Sequence, residues 1–167
     1  MKKEVVKKTS SLIFIAKLNI FYLLKNIFDR ILVSKEVVKE LFNKTLPEDE
    51  IIKNELINRF IIEKEIKKIL DFPLDIGEKS ALSLCLEKNI KFFLSDDKKA
   101  RDYANSIGIE PIGTLGVILW NLKEKRIDKD YALELIDKLI EKDYYMSSEL
   151  YSQVLFSLLF QYFLEQN

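Results

Sequence analysis

The chain contains no histidine. That removes the usual general base and the commonest transition-metal ligand, so any chemistry must run on carboxylates, amines or hydroxyls. One cysteine, Cys85, allows no internal disulfide, which fits a reducing, cytoplasmic setting. Cys85 lies on the apolar side of a helical stretch and reads as core more readily than as a nucleophile. Net charge is also missing. The 27 basic residues balance 27 acidic ones, so no global field draws the protein to nucleic acid, and any RNA contact must come from a local patch. Long apolar runs are absent too. Leu12 to Leu24 is interrupted by Lys17 and Asn19, and Val154 to Leu164 spans 11 residues. Both fall short of the ~20 residues a membrane span requires, so no membrane partner is expected.

Glycine is scarce, and its placement is informative. All four glycines (Gly77, Gly108, Gly113 and Gly116) lie between Leu74 and Leu119, together with the only adjacent pair of aspartates, Asp96 and Asp97. Asp75-Ile76-Gly77 reads as a turn, and Glu78 opens an apolar-periodic helix that Asn89 can stop. Phe92-Phe93-Leu94 suits a strand buried on both faces. Lys98 to Ile107 reads as a helix ending at Gly108, and Pro111 to Thr114 leads into another, with Thr114 as its N-cap.

Upstream, Val5-Val6 begins a strand, and Thr9, Ser10 or Ser11 can cap a helix running from Leu12. Ile31-Leu32-Val33 is a second buried strand, with Ser34 capping the helix after it. The apolar spacing from Glu50 to Leu70 predicts an amphipathic helix or a helix pair. The last third reads as helices over Leu115 to Lys125, Lys129 to Lys142 and Ser147 to Leu164. Helices alternating with short buried strands predict an α/β domain with a parallel sheet, whose ligands sit beyond the carboxyl ends of the strands. At 167 residues one domain is expected.

On this outline Glu40, Glu78, Asp96 and Asp97 gather near one sheet edge. Clustered carboxylates repel unless a cation neutralises them, and an all-oxygen set suits Mg²⁺ or Mn²⁺. Such an ion can activate water for phosphodiester cleavage without a protein base. Each acid also has a plainer reading as a solvated surface group, and Asp97 can simply cap the next helix.

Five segments carry a resemblance. They are Lys8-Thr9-Ser10-Ser11-Leu12-Ile13, Val33-Ser34-Lys35-Glu36-Val37-Val38-Lys39-Glu40-Leu41, Leu74-Asp75-Ile76-Gly77-Glu78, Leu94-Ser95-Asp96-Asp97-Lys98-Lys99-Ala100-Arg101 and Gly113-Thr114-Leu115-Gly116-Val117. In this order they resemble PIN-domain proteins, most nearly the uncharacterised subgroup with GE, DD-aR and GTLGV signatures, related to VapC-type toxins. The match spans residues 4 to 125, with a helical C-terminal extension over 126 to 167. The resemblance implies a three-layer α/β/α fold with a central parallel sheet, and Mg²⁺- or Mn²⁺-dependent endoribonuclease action of toxin–antitoxin type. Position by position it makes Glu40, Glu78 and Asp97 the catalytic acids, and these with Asp96 the metal ligands. Lys98, Lys99, Arg101 and Ser10 become candidate RNA contacts.

One position departs from the family. Its first acid, a metal ligand just before Thr-Ser, is here Lys8. An ammonium cannot ligate a cation and repels one, so metal binding is expected to be weak or absent and cleavage impaired. Two readings stay open: an impaired metal-dependent ribonuclease, or an inactive PIN-fold module binding RNA or a protein. The apolar tail, with Tyr151, Phe156, Phe160 and Phe163, can pack internally, on a second copy of the chain, or on an antitoxin-like partner.

Overall fold

Five short apolar stretches form one parallel sheet. In the computed structural model, which describes residues 3–165 (of 157 and 159–165 the backbone alone), the strands are β1 (Glu4–Lys7), β2 (Arg30–Ser34), β3 (Ile61–Lys64), β4 (Phe92–Leu94) and β5 (Glu110–Ile112). Their order across the sheet is β3-β2-β1-β4-β5, all parallel. Parallel neighbours need crossover connections, and nine helices among the described residues supply them. These are α1 (Thr9–Lys17), α2 (Phe21–Lys25), α3 (Lys35–Leu41), α4 (Asp49–Ile57), α5 (Ile76–Lys88), α6 (Lys98–Ser106), α7 (Thr114–Lys123), α8 (Lys129–Glu141) and α9 (Ser148–Glu165). α5 lies along β1, β2 and β4 on one face, while α1, α2 and α7 pack together on the other. Both faces are therefore covered, which is why Val5, Val6, Ile31, Val33, Phe93 and Leu94 are all buried. No helix among the described residues is long and apolar enough to cross a membrane.

Chain direction across the sheet reverses between β1 and β4. In open parallel sheets that reversal leaves a crevice beyond the strand ends, where ligands bind. Lys8 follows β1 and Asp96-Asp97 follow β4, so both flank that crevice.

Local chemistry sets several helix starts. Ser34 Oγ accepts from the Val37 N–H, Asp97 Oδ1 from Ala100 N–H, and Asp128 Oδ1 from Tyr131 N–H. Asn89 ends α5 in the left-handed conformation (φ 54°) that asparagine tolerates. Three expectations are corrected. α1 begins at Thr9 with Lys8 in the cap position and no side-chain cap, so none of Thr9, Ser10 or Ser11 plays that role. Gly113 precedes α7, and Thr114 is its first residue. The stretch from Glu50 to Leu70 is α4 and then the edge strand β3. Arg59 turns the chain with φ 59°, and Ile61 and Ile62 pair with Ile31 and Leu32. A short apolar run fits helix or strand equally well, and the exposed edge of β2 decided this one.

Cys85 is buried, as its position on the helix implied. In the tail, Val154 and Leu158 are buried against the domain while Tyr145 and Phe156 are exposed. Phe160 and Phe163 lie outside the described side chains.

Candidate active centre

The crevice holds a groove of about 680 Å³, lined by Lys8, Asp75, Glu78, Lys79, Asp97 and Lys99, with Phe72 and Pro73 on one wall. Its floor is set by the first turn of α5. Asp75 and Glu78 form a reciprocal capping box: the Glu78 N–H donates to Asp75 Oδ1 (2.8 Å), and the Asp75 N–H donates to Glu78 Oε2 (3.3 Å). This buries Glu78 at the positive end of a 13-residue helix, where a carboxylate is favoured.

Lys8 joins this turn from the end of β1. Its Nζ donates to Glu78 Oε1 at 2.5 Å and to Asp75 Oδ2 at 3.1 Å. Burial alone would lower the Lys8 pKa, but the hydrogen bonds and charges of Glu78 and Asp75 outweigh it and hold the ammonium above its ordinary value. Asp75, with burial acting the other way, is held below the usual carboxylate range by the Glu78 N–H and by Lys8.

Glu40 reaches the same turn from α3. A Cβ on Gly77 would come within 2.5 Å of a Glu40 carboxylate oxygen, so the glycine makes room for that approach. Glu78 and Asp97 thus share one groove, and Glu40 stands beside it.

Asp96 is not among the groove-lining residues. Its carboxylate turns toward α7, accepting from Thr114 N–H (2.6 Å), Thr114 Oγ1 (2.6 Å) and Tyr144 Oη (2.9 Å). It ties the start of α7 and the α8–α9 loop to the end of β4. Burial first, then the charge of Asp96, raises the Tyr144 pKa. Arg101 spends one guanidinium nitrogen on the carbonyls of Ser95 and Asp96, at 3.3 and 2.6 Å. Of the proposed RNA contacts, Lys99 lines the groove, Lys98 and Lys99 are exposed, and Ser10 sits half-buried in the first turn of α1.

Sequence reasoning missed two participants. Asp75 was legible, because Asp-x-x-Glu before an apolar helix is a capping-box pattern. Lys7 carried no signal. It is the last residue of β1 and is fully buried, with no hydrogen-bond partner for Nζ. Desolvation lowers its pKa well below the ordinary lysine value, only partly offset by the charge of Asp96.

The family model for DUF3368, described as a PIN domain, matches residues 4–158. The chain belongs to the PIN-domain family. Among solved structures it is similar to a PilT N-terminus domain protein, SSO1118, from the hyperthermophilic archaeon Sulfolobus solfataricus P2. The TM-score is 0.56 at 18% identity, covering 71% of this chain and 93% of that one, a likeness of fold. No curated protein matches the chain in sequence.

PIN domains generally use divalent metals, so the residues of this PIN chain can be tested against such an ion. Among the described residues no three histidine, cysteine, aspartate or glutamate side chains converge as a metal-holding group. The two carboxylates nearest the end of β1 are bonded to an ammonium instead. The donor set does not fit a divalent cation.

Proposed function

We propose that this PIN-family protein is a module that binds RNA without hydrolysing it. The observation that carries the reading is the Lys8 ammonium, bonded to both Glu78 and Asp75 at the end of β1, where the family resemblance puts a metal-ligating acid. With no histidine in the chain and no converging acid cluster among the described residues, neither an imidazole base nor a metal-activated water is at hand there. RNA as the ligand is supported by family membership and by the exposed Lys98 and Lys99 beside the groove, which can meet phosphates as point charges. The lone buried cysteine suits a cytoplasmic setting.

A second reading, a toxin-type Mg²⁺- or Mn²⁺-dependent endoribonuclease, is favoured by one feature: Glu78 and Asp97 line the same groove. In that reading Glu40, Glu78 and Asp97 remain the catalytic acids, and an antitoxin-like protein or a second copy of the chain would cover the tail around exposed Phe156. Fluorescence anisotropy with short single-stranded RNAs, beside a cleavage assay in Mn²⁺ or Mg²⁺, separates the two. The proposal expects salt-sensitive binding in EDTA, weakened by Lys98→Ala/Lys99→Ala, and no cleavage. Metal-dependent cleavage lost on Glu78→Ala would establish the second reading. Absence of RNA binding at low salt would remove the first.

A further inference from the structure

Resting on that reading of the centre, we infer that the Lys8 ammonium is its resident cation, and that the protein takes up no divalent ion there. Hydrogen bonds engage all four carboxylate oxygens of Asp75 and Glu78 at the floor of the groove. Glu78 Oε1 accepts from Lys8 and Oε2 from the Asp75 N–H; Asp75 Oδ1 accepts from the Glu78 N–H and Oδ2 from Lys8. Both Asp96 oxygens are engaged by Thr114 and Tyr144, and Asp97 commits Oδ1 to capping α6. A hard divalent cation needs about six oxygens, and Mg²⁺ sheds its own waters reluctantly. Here it would have to break the capping box of α5 and displace a covalently tethered ammonium to obtain two carboxylates.

Charge points the same way. Lys8 brings a full positive charge, and α1 and α5 open toward this edge with the positive ends of their dipoles. α1 carries no acid in its first turn to offset its own. The side chains of Lys8 and Glu78 are only 12% and 6% exposed, so solvent screens their attraction poorly. The ammonium also performs a structural task that an ion performs elsewhere: it fastens the end of β1 to the first turn of α5, across 70 residues of sequence.

The test is calorimetric titration of Mn²⁺ and Mg²⁺ into the intact protein without RNA, with melting temperature measured in EDTA and in each ion. The expected result is no saturable binding at millimolar ion and no shift in melting temperature. Lys8→Asp should melt below the wild type in EDTA, bind Mn²⁺ at least about tenfold more tightly, and regain stability as Mn²⁺ is added. Saturable Mn²⁺ binding by the wild type, abolished by Glu78→Gln, would overturn the inference. Should Lys8→Asp fail to fold, the wild-type titration with Glu78→Gln decides alone. Ion uptake without RNA cleavage would sink this inference and leave the proposed function standing. RNA cleavage in EDTA with no ion uptake would do the reverse.

Discussion

Replacing Lys7 with methionine should make the protein more stable. Lys7 ends the central strand with its side chain fully buried and its Nζ unpartnered, beneath a carboxylate, Asp96, that is already engaged by Thr114 and Tyr144. Holding a polar group there without a hydrogen bond costs about 1–3 kcal/mol by the measure of comparable substitutions. Methionine has nearly the same length and shape, so it leaves no cavity and removes that cost. For a domain of this size, 1 kcal/mol moves the melting temperature by about 2–4 °C, which puts the expected rise at roughly 2–12 °C. The pH dependence gives a second readout. The folded-state pKa of Lys7 is depressed, so between that value and the unfolded value of about 10.4 the unfolded chain binds the extra proton. Stability in the wild type should therefore rise with pH across that window, and Lys7→Met should flatten the rise. Chemical denaturation at a series of pH values measures both effects. A Lys7→Met protein destabilised by more than about 1 kcal/mol would refute the argument, since the amine would then be making an interaction the fold needs.

Further expectations concern the two acids with non-catalytic duties and the groove floor. Asp96→Ala should cost about 2–4 kcal/mol in denaturant unfolding, because it strips three hydrogen bonds and leaves the Thr114 N–H without a partner. Gly77→Ala should change stability by less than about 1 kcal/mol, the helix gaining from alanine while the flexible end of Glu40 swings away from the new Cβ. A crystal structure of that variant should show the Glu40 carboxylate displaced from α5. The Lys8–Asp75 attraction should be present from above the unfolded pKa of aspartate, about 3.9, to below that of lysine, about 10.4. It should be lost as pH falls through the depressed Asp75 value and as it rises through the raised Lys8 value. Asp75 is half-exposed, so solvent screening will keep its share small, and comparing wild type with Asp75→Asn across that range measures it.

Much of this protein is legible in one dimension, where the physics is local. Phe92-Phe93-Leu94 and Ile31-Leu32-Val33 suit doubly covered strands, being short, wholly apolar and bounded by polar residues. Ser34, Asp97 and Asn89 act on backbone groups within four residues of themselves, so their roles follow from chain geometry alone. The PIN segments and the strand-end rule both put Glu78 and Asp97 near one sheet edge, and the two line a single groove. β3 was not legible, because so short an apolar run suits helix or strand alike until β2 presents an unpaired edge. Nor was the division of labour between adjacent aspartates. Asp97 caps the helix beside it, whereas Asp96 is committed by Thr114 and Tyr144, 18 and 48 residues away. The tandem lysines show the same divide most plainly. Sequence alone says that two cations end the central strand. Only the fold sends Lys8, the extended residue just past β1, into a groove with two carboxylates waiting and leaves Lys7, the last residue of β1, buried without a partner, because successive residues of an extended chain face opposite sides.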